Sequence, residues 1–91
     1  MTAVTMYSTR WCVFCQRAEQ LLKRKGAGDL NIIAVDLDPG QLATMISRTG
    51  RRSVPQIFIG EVHVGGYDDL AALDRAGQLD ALLQVTGADL E

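Results

Sequence analysis

Histidine, proline and aromatic residues are scarce in this chain of 91 residues: one His, two Pro, one Trp, two Tyr and two Phe. A lone histidine beside two cysteines leaves too few ligands for an intrachain tetrahedral zinc site. No stretch approaches the roughly 18 apolar residues that a membrane span needs, and Met1 to Thr5 lacks the charged-then-apolar pattern of a secretory leader. A cytoplasmic protein without membrane contacts is expected. Charge of one sign is also missing, with 9 Lys and Arg mixed among 11 Asp and Glu for a formal net charge of -2. Such a surface offers no basic stripe to a phosphate backbone, so nucleic acid is not an expected partner. Glycine-rich nucleotide loops, internal repeats and low-complexity linkers are absent as well.

What is present suits a single domain spanning residues 1–91 and a monomer. The 47% hydrophobic composition supports one modest core, since chains near this size bury about two-thirds of their unfolded surface. Val4 to Ser8 is a short apolar run ending at polar residues, which reads as a buried strand. From Phe14 onward, Phe14, Ala18, Leu21 and Leu22 recur at helical spacing while Gln16, Arg17, Glu19, Gln20, Lys23 and Arg24 take the opposite face, and Gly26 stops the helix. Ile32 to Val35 is a continuous apolar run, as expected of a parallel strand covered on both faces. The opening unit is therefore βαβ and right-handed.

Asp38 then Pro39 is a helix-start signature, with Leu42, Met45 and Ile46 as the buried stripe and Gly50 as the stop. Gln56 to Ile59 and Glu61 to Val64 meet at Gly60 and Glu61, close enough for an antiparallel hairpin. Gly65-Gly66 breaks the pattern, Asp68 and Asp69 open a helix closing near Gly77, and Leu79, Leu82 and Leu83 mark a last helical segment. The expected order is β-α-β-α-β-β-α-α.

The chemistry-bearing motif is Trp11-Cys12-Val13-Phe14-Cys15, placed where the first strand gives way to the first helix. A structural disulfide there would close a loop too small to staple anything, whereas C-x-x-C at a strand-to-helix junction points to redox chemistry. Cys12 is expected at the helix N-terminus, facing unpaired N–H groups that favour the attacking thiolate, with Arg10 close by. Cys15, one turn further in, suits the resolution of a mixed disulfide formed on Cys12.

Three further signals lie downstream: Ser53-Val54-Pro55 before a strand, Gly65-Gly66 after one, and Asp68-Asp69 opening a helix. With Cys12-Val13-Phe14-Cys15 they make the chain resemble the bacterial dithiol glutaredoxins from Val4 to about Leu83. The runs Thr49 to Ile59 and Gly65 to Leu70 are similar to that family's most recognisable segments. The resemblance implies a thioredoxin-like α/β fold, a four-stranded mixed sheet between helices, with Pro55 in the cis form. It implies glutathione as co-substrate, no tightly bound cofactor, and a glutathione site built from Arg10, Phe14, Arg52, Val54, Pro55, Gly66, Tyr67 and Asp68.

In that reading Val54 pairs its backbone with the cysteine moiety of glutathione. Helix N–H groups at Tyr67 and Asp68 receive the γ-glutamyl carboxylate, the Asp68 carboxylate faces the ammonium, and Phe14 forms an apolar wall. Arg51 and Arg52 are either a solvated loop or the source of one guanidinium for the glycine carboxylate. Taken by themselves, Gly65-Gly66 also reads as a turn, Asp68 as a helix cap, and Pro55 as an ordinary strand-entry proline.

Other residues carry plainer readings. His63 alternates with Val62 and Val64 as a strand surface residue rather than a catalytic base. Lys23-Arg24-Lys25 is a solvated helix end favoured by the dipole. Trp11 either packs beside the active site or shows a flat face to protein partners. Against the family pattern, Val13 replaces the proline often found between the cysteines, Tyr67 replaces a frequent cysteine, and Thr9 stands where lysine is common, with Arg10 as a substitute charge.

The leading expectation is reduction of protein-glutathione mixed disulfides and protein disulfides, with electrons arriving, as the resemblance implies, from NADPH through a separate glutathione reductase. The alternatives are a carrier of an iron-sulfur cluster held between two chains by Cys12 and glutathione, and a redoxin fed by thioredoxin reductase.

Overall fold

The computed structural model describes residues 3–84. Met1 and Thr2, part of the stretch judged free of a leader pattern, lie outside the described residues. The elements are β1 (Val4–Ser8), α1 (Val13–Arg24), β2 (Leu30–Ala34), α2 (Pro39–Thr49), β3 (Gln56–Ile59), β4 (Val62–Gly65), α3 (Tyr67–Arg75) and α4 (Leu79–Gln84). The four strands form one mixed sheet in the order β2-β1-β3-β4. β1 pairs β2 in parallel, whereas β1–β3 and β3–β4 are antiparallel. This is the expected element order and the thioredoxin-like architecture. No described helix is long and apolar enough to cross a membrane.

The alternation of β1 and β3 creates two cores, because successive side chains point to opposite faces of a sheet. Val4, Met6, Ile57 and Ile59 face one way and pack with Cys15, Ala18, Leu21 and Leu22 of α1, Leu70 of α3, and Leu79 and Leu83 of α4. Tyr7 and Phe58 face the other way and pack with Val35 and Met45, Leu42 and Ile46 lining the edge. The stripe expected on α2 is thus the cover of the second face.

Caps explain where two helices begin and end. Asp38 accepts the N–H groups of Gly40 and Gln41 at 3.0 and 3.3 Å, which leaves Pro39 at the first helical position, where its missing donor costs nothing. Gly50, left-handed with φ 71°, ends α2.

Two expectations change. β2 is an edge strand with one partner, and the helical layers do not reach fully over it: Ile32 is 40% exposed and Asn31 is exposed, so the strand is not covered on both faces. Lys25 is not simply solvated either. Its Nζ lies 2.8 Å from Asp74 and 3.4 Å from Asp80, tying the end of α1 to α3 and α4, and the Asp74 carboxylate raises its pKa.

Candidate active site

β1 is an interior strand flanked by β2 and β3, and from its end the chain turns through residues 9–12 into α1. Cys12 is the N-cap of that helix, with extended backbone (φ -102°, ψ 109°), and its Sγ accepts the N–H of Cys15 at 3.0 Å. A thiol sulfur thereby takes the capping role usually played by a side-chain oxygen, satisfying a donor that the first helical turn leaves without a backbone partner. Cys12 is half-buried. Cys15, one turn on, is 3% exposed, and burial first, then the neighbouring Cys12 sulfur, pushes its thiol up to about 11. Loss of its proton in that setting would leave a charge away from water. The pair is therefore asymmetric: one sulfur at the surface end of a helix and one held as a thiol beneath it.

Beside Cys12 runs an open groove of about 170 Å³ lined by Phe14, Arg51, Ser53, Val54, Pro55, Gly66, Tyr67, Asp68 and Asp69. Val54 links the two features, since its carbonyl oxygen lies 4.0 Å from Cys12 Sγ and it also lines the groove. The Val54–Pro55 peptide is cis, the geometry implied by the resemblance. The rings of Phe14 and Tyr67 stand 6.2 Å apart, tilted by 32°, as apolar walls.

The glycine pair divides its work. Gly65, buried with φ 113°, occupies a conformation that side chains rarely adopt, and a Cβ there would collide with the Asp69 carboxylate. Gly66 is the N-cap of α3, and a Cβ on it would meet only an ordinary contact, 3.6 Å from the Pro55 carbonyl. The N-terminal capping contact comes from Asp69, whose Oδ2 accepts the Gly66 N–H at 2.9 Å. Asp68 is therefore not the cap. It is exposed and, among the described residues, makes no hydrogen bond or ion pair, so its carboxylate faces the groove uncommitted.

The structure gathers Phe14, Val54, Pro55, Gly66, Tyr67 and Asp68 around the groove, but not Arg10 or Arg52. Arg10 turns to the far end of β2, where its Nε bonds Asp36 Oδ2 at 2.9 Å and holds that carboxyl below its ordinary range. Arg52 is exposed and lines no part of the groove. The groove's guanidinium is that of Arg51, whose Nη1 lies 4.0 Å from Asp69. Residues 51–55 carry no period from which to read which arginine points inward, and only the packed loop decides it. Ser53 and Asp69 were visible in the quoted motifs, yet nothing in their spacing assigned them to the groove. Trp11 is 87% exposed, which settles it as a surface ring rather than a packed one.

The site thus joins a cysteine pair at a helix N-terminus to a cis-proline segment. The glutaredoxin family model matches residues 4–64. The chain belongs to the glutaredoxin family. A glutaredoxin of Pseudomonas aeruginosa is 55% identical over 83 residues, which cover 91% of this chain and 98% of that one. The solution structure of a glutaredoxin from Brucella melitensis, 50% identical, superposes with a TM-score of 0.80 over 92% of this chain and 90% of that chain. A buckwheat glutaredoxin-glutathione complex, 30% identical, gives 0.82 over 90% and 76%. As a glutaredoxin the chain is a thiol-disulfide oxidoreductase, with Cys12 and Cys15 as its redox-active pair.

Proposed function

We propose that this glutaredoxin uses glutathione, reducing protein-glutathione mixed disulfides through Cys12 and protein disulfides through Cys12 and Cys15 together. The observation that carries the reading is the junction of the capping Cys12 sulfur with a groove whose far end is a helix N-terminus bearing the uncommitted Asp68 carboxylate. A γ-glutamyl group has both charges such an end can meet: a carboxylate for the N–H groups of α3 and an ammonium for Asp68. The complex of the buckwheat relative with glutathione supports the same ligand.

In the first step the Cys12 thiolate attacks the glutathione sulfur of the mixed disulfide. The protein sulfur leaves as a thiolate and takes a proton from solvent, while glutathione stays on Cys12. Phe14 and Tyr67 flank the bound tripeptide, the Val54 backbone aligns its cysteine moiety, and Arg51, rather than Arg52, meets the glycine carboxylate. A second glutathione thiolate then attacks the bound glutathione sulfur, releasing oxidised glutathione and the Cys12 thiolate. That product is reduced by NADPH through a separate glutathione reductase. With a protein disulfide, the Cys12 thiolate attacks one substrate sulfur and the other leaves as a thiolate; Cys15 then gives up its proton and attacks the Cys12 sulfur, expelling the second substrate thiolate and leaving a Cys12–Cys15 disulfide that two glutathione thiols reduce.

The enzyme works as a monomer in the cytoplasm, on glutathionylated or disulfide-containing proteins, with no tightly bound cofactor. The test is turnover of a glutathionylated peptide coupled to glutathione reductase. Glutathione-dependent turnover is expected, and its absence in folded, reduced protein would reject the reading.

A further inference from the structure

A hydrogen-bonded chain runs from β4 to the wall of the groove on the face of the sheet away from α1. Gln56, the first residue of β3, is 0% exposed. Its Nε2 donates to the Ser53 carbonyl at 3.0 Å and lies 3.2 Å from Ser53 Oγ. With the nitrogen placed by those two oxygens, Oε1 must be the atom facing His63 Nε2 at 2.8 Å, and so His63 Nε2 carries the proton and donates it.

The imidazole is itself held. His63 lies opposite Phe58 in the β3–β4 register, and the two rings stack with centroids 4.9 Å apart. The Phe58 ring also carries the Arg48 guanidinium 3.9 Å from its centroid.

We infer that His63 is a positioning residue for the reaction at Cys12: through the buried Gln56 amide it holds the Ser53-Val54-Pro55 segment that walls the groove. The inference rests on the reading of that groove as the glutathione site. Without the His63 donor, Gln56 Oε1 would be a buried acceptor with no partner, and the amide would turn to find one, releasing Ser53. Ser53 and Val54 both line the groove, and the Val54 carbonyl oxygen lies 4.0 Å from the Cys12 sulfur. A loosened segment therefore weakens substrate binding more than chemistry.

His63→Phe keeps the aromatic stack and removes the donor. Its KM for a glutathionylated peptide should rise roughly three- to tenfold, the value of one neutral hydrogen bond, with kcat nearly unchanged and Tm lowered by several degrees as the buried acceptor loses its donor. His63→Gln, which returns an amide N–H, should bring KM back toward the wild-type value. Gln56→Met should reproduce the His63→Phe effect and serves should that variant fold poorly. The double variant should then be no worse than either single one, because both break the same chain. A folded His63→Phe with wild-type KM overturns the inference, and so does an additive double variant.

Exchange of the Gln56 side-chain amide protons, followed by NMR, gives a readout independent of turnover. It should quicken in His63→Phe, and equal exchange would overturn the inference. Should the wild type show no glutathione-dependent turnover, the proposed function falls and the exchange comparison still decides whether His63 holds the segment.

Discussion

At Cys12 the sulfur accepts a helix N–H and is half-exposed, whereas three residues on Cys15 is buried and its thiol is pushed up to about 11. The difference assigns the chemistry. Cys12→Ser should abolish reduction of every substrate, while Cys15→Ser should retain deglutathionylation and lose only protein-disulfide reduction, because a second glutathione replaces the buried thiol. Parallel assays on a glutathionylated peptide and on a protein disulfide check this, and equal loss in both mutants on the first substrate would remove the assignment. Burial of Cys15 also has a pH signature. The folded state holds its proton more tightly than the ordinary value of 9.0, so its contribution to stability is intact below about pH 9 and is lost as pH rises through about 11. Thermal melts of reduced protein should fall more steeply from pH 9 to 11 in wild type than in Cys15→Ala, by on the order of 2 kcal/mol at the upper end. At the other end of the groove Asp69 makes the helix-end contact and Asp68 does not. Asp68→Asn should leave the melt unchanged and weaken apparent affinity for glutathione about tenfold, the loss of one charge-assisted contact. Unchanged affinity in the folded variant would take Asp68 out of the binding site.

Elements place these residues by the way they end. The interior strand β1 hands the chain to α1 with Cys12 as its cap, and β4 stops at Gly65 and hands it to α3 with Gly66 as its cap. Both helix N-termini therefore come to the same groove, with the cis Val54–Pro55 segment entering β3 between them. The two glycines at the second junction have different duties, which mutation separates. Gly65→Ala forces a side chain into a left-handed conformation against Asp69 and should destabilise by about 1–3 kcal/mol, seen as a lowered Tm. Gly66→Ala meets only ordinary contact within the protein, so its Tm should hold while KM for glutathionylated substrate rises. Matching losses of stability in the two variants would contradict this division. The asymmetry was not legible in the sequence, where a glycine pair after a strand reads as a turn.

The whole molecule brings the cysteine pair, the groove beside it and the mixed sheet together. Its electron source should follow from the groove: the glutathione and glutathione reductase system should sustain turnover, and thioredoxin reductase should not, in side-by-side NADPH consumption assays. The order of elements, the strand character of β1 and β3, the α2 cap at Asp38 and the redox pair were all determined by local pattern, because apolar runs, capping chemistry and the C-x-x-C spacing are properties of a few consecutive residues. The family-specific runs from Thr49 to Ile59 and Gly65 to Leu70 carried the rest of the site's outline. Only tertiary structure decided that β2 lies at an edge, that Arg10 turns to Asp36 and Arg51 rather than Arg52 meets the groove, and that Asp69 rather than Asp68 caps α3. It also decided that His63 reaches Ser53 through Gln56. Each of these depends on which distant segment lies across the sheet or the loop, and the direction of a side chain in aperiodic backbone is set by that neighbour and not by its own sequence.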